Sequence, residues 1–492
     1  MSIFRVVISF LLLCIAPILS AQLIENNYFP ISDYKVSDSI NNYFQNKYRM
    51  PQYKLSLEGK KAAKEYKKIS NNRSSYFNQL VTKNRIMYGD SITLLLQMIT
   101  DDLVKNNPEL NTISPTIFTK RSTLSNASSL DEGAILFNIG LLERLNSIDQ
   151  IAFIIGHELA HDYLNHVYQS IESIISVSTD KTIKKDIKKA SKQEYGSNSK
   201  VNSLILSLLS NKQLHSRNHE YSADSLGLRF MLNAGFKLDG ALETLAILKE
   251  SDYVKYLDTV NIVKHLNTKE YPFKESWITN SNAGTAWEPS GSLYSIPDSL
   301  KTHPNCDLRA AKLTQYGLPE NISSHNNISS LFNKFKESYN FESVQVLMDK
   351  EEYGLAMYYA IQLLEDYPDN IFLLSVLADS QIHLAKGFKN YSFSYYVDFP
   401  NKQLPPSYNE LLTFLHNMSS KRLVKLFKAY YSEKLIFHLG DPYVDYLALI
   451  NKIIITNSDT EMTEEEEKQL IDFYKETHGK NSYYYKLINY LN

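Results

Sequence analysis

Apolar residues along this chain of 492 residues fall into several distinct patterns, and each predicts a different element. Ile151-Ala152-Phe153-Ile154-Ile155-Gly156 is apolar almost all round, as a helix buried on every side would be. Ser147 and Gln150 just before it make an S-x-x-Q capping box, and Leu145 and Ile151 can staple across the cap. Gly133 to Asn138 reads as a short strand ahead of this helix. It is expected either as an edge that an extended polypeptide could join by main-chain hydrogen bonds, or as an ordinary core strand. A second helix is expected through Met231-Leu232-Asn233-Ala234, closed by Gly235. The chain turns polar from Asn321 to Ser330, a fair linker. Helical spacing then dominates: Ala356, Ala360 and Leu363 precede Pro368, and Leu374, Leu377 and Ala378 begin the next helix. Amphipathic helices are expected over Tyr408 to Lys428 and Tyr443 to Ile455, and Thr463 to Glu466 caps a final one with an acidic start. The pattern predicts a mainly α fold (α+β) with a small sheet beside a buried helix, followed by a helical domain.

Composition narrows the class further. Apolar residues at 43% and charged residues at 22% are ordinary for globular chains, and the length implies more than one domain. A net charge of −2 offers no general attraction to nucleic acid or to an anionic membrane. A local exception, Lys181, Lys184, Lys185, Lys188, Lys189 and Lys192, reads as a solvated mobile helix, with contact to an acidic partner or a membrane surface as the other reading. Met1 to Arg5 is short and positively charged, Val6 to Leu19 is an apolar run, and Ser20-Ala21-Gln22 supplies small residues for cleavage. Residues 1–21 are therefore expected to be a signal peptide, and the protein to be exported, most simply to a periplasm, with secretion as the other outcome. Cys306 is the one cysteine beyond that segment, so no intramolecular disulfide is expected. No other run is long enough to span a bilayer.

The chemistry concentrates at His157-Glu158-Leu159-Ala160-His161. Residues four apart on a helix share a face, so both imidazoles can grip one metal ion. Glu158 is then placed to take a proton from a metal-activated water. This is the arrangement of a zinc peptidase, which needs a third ligand and an open position. The best third ligand lies in Ser216-Arg217-Asn218-His219-Glu220-Tyr221-Ser222-Ala223-Asp224: Glu220, with His215 and His219 as rivals. Asp224, one turn on, can hold a ligand histidine by its free ring N–H. Gly156 suits close packing of another segment beside the metal, and Gly227, on the stripe of Glu220 and Asp224, lets another backbone approach closely there. His166 falls five residues after His161, off the ligand stripe, and reads as structural.

His-Glu-Leu-Ala-His with His166, followed by Ser-Arg-x-x-Glu-x-x-x-Ala-Asp, resembles the CaaX prenyl endopeptidase and heat-shock membrane protease family. The resemblance takes in Asn126-Ala127, Gly133 to Asn138, Ala234-Gly235-Phe236, and Thr302-His303-Pro304 with Arg309, and spans Ser91 to Leu313. It implies a zincin-like endopeptidase holding one zinc ion per chain, with His157, His161 and Glu220 as ligands and Glu158 as catalytic base. His303 is then a candidate for an oxyanion donor or for a resting-state ligand that gates the zinc site. The soluble periplasmic members of the family carry tetratricopeptide repeats and act in envelope protein quality control. By that likeness the substrate is a misfolded or stalled envelope polypeptide, and the repeats would bind an envelope-assembly partner. The domains are accordingly expected at 22–320 (metallopeptidase, with insertions at 169–211 and 271–299) and 331–492 (tetratricopeptide-like, or an irregular helical domain). The second insertion is rich in turn formers and is expected as an active-site lid or a packed surface loop. The rival function is a chaperone or binding module with latent peptidase activity.

Overall fold

The structure, a computed structural model, describes residues 27–30, 59–87, 90–130, 133–179, 217–249, 251, 260–279, 306–315, 325–401, 404–459, 463–479, 484 and 488. The expected signal peptide, the lysine cluster, His215 and His303 lie outside them, as do residues 180–211 of the first insertion and 280–299 of the second. The protein is mainly α-helical with one small sheet. Its described residues cluster into two compact units. One comprises those within 31–255 and 288–346; the other comprises those within 1–30, 256–287 and 347–492.

In the first unit, helix α1 (Lys60–Thr82) leads into strand β1 (Ile86–Met87), and helix α2 (Ser91–Asn106) follows. The α2 start is fixed by Asp90, whose carboxylate accepts the Ile92 and Thr93 N–H groups. Strands β2 (Thr116–Lys120), β3 (Ala127–Ser129) and β4 (Ala134–Asn138) complete a sheet of order β1-β2-β4-β3. The β2–β4 pair is parallel, with Thr116 opposite Ala134, and the two outer pairs are antiparallel. β4 is an interior strand with all five residues buried, which answers the edge-or-core question in favour of core. The edge is β3.

Helix α3 (Ile148–Tyr163) carries the His-Glu-Leu-Ala-His motif and begins as expected: Ser147 and Gln150 form the reciprocal capping box. Every residue from Ile148 to Ala160 except Asp149 is buried. The shell around it comes from α2, the sheet, and helix α6 (Leu238–Lys249). Between α3 and α6, in chain order, come helix α4 (His166–Thr179) and helix α5 (217–233). The expected C-cap of α5 is present: Gly235 has φ 83, and Phe236 N–H returns to the Met231 carbonyl at 3.0 Å. Helix α7 (Cys306–Leu313) packs on α6. Helix α8 (Asn326–Asp349) gives this unit its residues up to Val346, among them Glu342, which pairs with Arg121 at 2.5 Å with both side chains fully buried. The expected linker at 321–330 is thus helical from Asn326 onward; residues 321–324 lie outside the described set.

The second unit is helical. Helix α9 (Tyr353–Asp366) and helix α10 (Ile371–Lys389) form a hairpin around Pro368, at the positions the alanine and leucine spacing indicates. α10 is buried on most of its circumference because helix α12 (Ser420–Tyr430) and helix α13 (Pro442–Asp459) also pack on it; helix α11 (Pro406–His416) packs on α9. Helix α14 (Glu464–His478) starts with the expected capping box of Thr463 and Glu466. The first part of the expected lid is packed within this unit: Trp277 is buried beside Phe273 and Phe414, and its carbonyl accepts from the Asn417 amide at 2.9 Å. No helix among the described residues is long and apolar enough to cross a membrane.

Candidate metal centre

α3 and α5 cross where neither carries a side chain. A Cβ built on Gly156 would lie 2.8 Å from the Gly227 carbonyl oxygen, and one built on Gly227 would lie 2.6 Å from the His157 nitrogen. Contact this close is open only to glycine. It lays Glu220 and Asp224 of α5 directly against the two motif histidines.

The donor atoms converge. His157 Nε2 and His161 Nε2 are 3.0 Å apart, and the Glu220 carboxylate oxygens lie 3.7 Å from the first and 3.5 Å from the second. Ligands at 2.0–2.1 Å from a tetrahedral zinc are separated by about 3.3 Å, so the two ring nitrogens and the Glu220 carboxylate outline one face of such a polyhedron. Among the described residues this is the one group of three such donors able to hold a metal ion. The charge fits as well: Arg309 pairs with Glu220 and Asp224, and with Glu158, Glu172 and Arg73 of the cleft lining this leaves four carboxylates against two guanidinium groups among the described residues, an imbalance suited to a dication. His219, a rival third ligand, is instead stacked on His166 at 4.1 Å with rings 8° from parallel.

Each ligand has support behind it. His157 Nδ1 lies 2.9 Å from Asp224 Oδ1. Asp224 in turn accepts from Arg309 Nε at 2.6 Å and Nη2 at 2.7 Å, and Arg309 Nη1 is 3.0 Å from Glu220. Burial alone would raise the Asp224 and Glu220 pKa values. The hydrogen bonds and charges of Arg309 and the motif histidines outweigh it and hold both carboxyls well below the ordinary range. For His157 burial acts downward, but Asp224 and Glu220 raise it overall. His161 Nδ1 faces His166 Nδ1 at 2.9 Å. Burial, with the His161 and His219 rings, pushes His166 down to about 3.

Glu158 makes no part of the donor triangle. Its Oε2 accepts the Ser129 N–H of β3 at 2.5 Å. Leu130 and Asn126 bond inward to β4, so Ala127 and Ser129 turn their peptide groups to the open edge. That edge, His157, Glu158, His161 and the face of α4 line a cleft of about 850 Å³.

Sequence reading found His157, Glu158, His161, Glu220 and Asp224, and the structure brings all five together. It missed the anchoring of Glu158 by Ser129, and it named Arg309 without assigning it a partner. It read His166 as structural because it falls five residues after His161, off the ligand stripe, and the structure keeps His166 out of the donor group. The helix ends at Tyr163, and Asn165 sits in the left-handed region at φ 56, a conformation asparagine tolerates. His166 therefore starts a new helix and turns back on His161.

A buried His-Glu-x-x-His helix with a carboxylate donor brought against it by a crossing helix is the arrangement of a metallopeptidase centre. Residues 95–316 match the model of peptidase family M48, a match that marks this part of the chain as a zinc metalloprotease domain. No curated protein matches the chain.

Proposed function

We propose that His157, His161 and Glu220 hold one zinc ion and that Glu158 is the general base of an endopeptidase acting on misfolded or stalled cell-envelope polypeptides. The observation that carries the chemistry is the placement of Glu158: beside the donor triangle, outside it, and held by the strand that borders the cleft. When bound, zinc lowers the pKa of water towards about 7 and polarises a carbonyl. Glu158 takes the proton of the attacking water and delivers it to the leaving amine. Ser129 N–H fixes Oε2, so the carboxylate does not swing away between those two transfers. The outward Ala127 peptide group and the Ser129 carbonyl of β3 are left to bond an extended substrate backbone, which suits recognition of unfolded chains with little sequence preference. His303 remains our candidate for the oxyanion donor or zinc-site gate.

The envelope setting is supported by the charged start, apolar run and small residues of positions 1–21 and by the apolar-run lengths elsewhere. The helices from Tyr353 onward, tetratricopeptide-like in the α9–α10 hairpin, are assigned the partner-binding or substrate-presenting role. The test is cleavage of casein by the mature chain beside Glu158→Gln at matched zinc content. We expect a loss of about 10²–10⁴-fold with zinc retained. Cleavage by the variant near the wild-type rate would sink the assignment.

A further inference from the structure

Two ring nitrogens 2.9 Å apart share one proton, so between His161 Nδ1 and His166 Nδ1 one atom donates and the other accepts. If His166 donated, the remaining His161 proton would sit on Nε2. That atom is 3.0 Å from His157 Nε2 and belongs to the donor triangle, so a proton there removes the ligand. His161 must therefore donate from Nδ1. His166 then carries its own proton on Nε2, which lies 3.3 Å from Ser222 Oγ. Ser222 accepts it and directs its hydroxyl proton to the carbonyl of Asn218 or of His219, each 3.0 Å away. Every proton in the chain has one consistent place, and the chain ends on the backbone of α5.

We infer that His166 is a positioning residue of the metal centre: its Nδ1 accepts from His161 and so fixes the tautomer and ring plane in which His161 Nε2 presents a lone pair to the metal. This rests on the ligand assignment proposed above. The ring has little freedom, being only 6% exposed and stacked flat on His219. Ser222 is the outer stop that keeps the His166 proton on the far nitrogen. His157 obtains the same service from Asp224, so the two ligands are oriented from opposite sides by chemically different partners.

The zinc dissociation constant of the mature chain, measured by competition with a chromophoric chelator, tests the inference. The visible spectrum of the cobalt-substituted protein is the second readout. His166→Phe keeps an aromatic ring over His219 without an acceptor, whereas His166→Asn returns a carbonyl oxygen near the Nδ1 position. We expect roughly 10–100-fold weaker zinc binding and an altered cobalt spectrum for the Phe variant, with the Asn variant within about threefold of wild type. Equal zinc affinity in His166→Phe and wild type would overturn the inference, as would an Asn variant as weak as the Phe variant. Thermal unfolding of the zinc-free proteins reports whether each variant folds. Should His166→Phe fail to fold, Ser222→Ala is read the same way: several-fold weaker zinc binding supports the proton chain and unchanged binding overturns it. His157→Ala separates the two levels, because unchanged zinc affinity there would instead remove the ligand assignment itself.

Discussion

Adding one methyl group at Gly227 tests how the metal centre is assembled. The new Cβ would stand 2.6 Å from the His157 nitrogen and 2.8 Å from both the Gly156 carbonyl carbon and His157 Cα. All three are backbone atoms of α3, so no side chain can swing aside. Ordinary contact at about 3.4 Å then requires α3 and α5 to part by roughly 0.8 Å. Alanine in a helix interior gains about 1 kcal/mol over glycine. Overpacking of this kind costs about 1–3 kcal/mol, and the absence of any yielding side chain puts it at the upper end. The steric effect wins, and the zinc-free protein should lose about 1–2 kcal/mol in chemical denaturation. The same separation exceeds the tolerance of about 0.2 Å on metal–ligand distances, because His157 and His161 are on one helix and Glu220 on the other. Zinc at a hundred times its dissociation constant should stabilise the wild type by about 2.7 kcal/mol, and Gly227→Ala should lose most of that increment. Denaturation curves with zinc and with chelator measure both quantities. A variant with unchanged curves in both conditions would refute the reasoning, since the helices would then have room that the geometry denies them.

Arg309→Ala leaves Asp224 buried without its guanidinium, and unfolding should become easier by about 3–5 kcal/mol, read from denaturant midpoints. Ser147→Ala removes half of the capping box at the start of the motif helix and should cost about 1 kcal/mol, with zinc affinity unchanged because the cap lies several turns from the ligands. Ala127→Pro deletes an N–H that points to the open edge of β3, a position where proline leaves the ladder intact. If substrate backbone bonds there, kcat/KM for an unfolded protein should fall about tenfold at constant thermal stability, and an unchanged kcat/KM would argue against strand addition.

What could be read from the sequence follows a physical division. Helix faces and helix ends are encoded locally. The 3.6-residue repeat placed His157 with His161 and Glu220 with Asp224, and the S-x-x-Q pair and Gly235 marked ends that the structure reproduces. The strand over Ala134–Asn138 was legible too, but its neighbours were not, because parallel pairing with β2 and the edge position of β3 depend on chain segments whose pairing leaves no local signature. The same holds for the supports of the site. Ser129 reaches Glu158 through a backbone N–H, which no residue type announces. Arg309 lies 85 positions beyond Asp224. His166 is close in sequence, yet periodicity misplaces it, since one left-handed residue at Asn165 resets the helix phase.

The different partners of the two histidines also follow from charge balance. Among the described residues, Glu158, Glu172, Glu220 and Asp224 lie at or behind the cleft with two guanidinium groups, those of Arg73 and Arg309, to offset their charge. A dication held there would balance that surplus. A carboxylate behind His161, matching Asp224 behind His157, would add a further negative charge in a region where burial already opposes ionisation. A neutral imidazole performs the same orienting task without it. Burial and the adjoining rings hold the His166 pKa down, and in the proposed tautomer its Nε2–H donates to Ser222, whose hydroxyl donates to an α5 carbonyl. The site can therefore direct two lone pairs at one ion while holding its fixed charge near the value that a divalent metal neutralises.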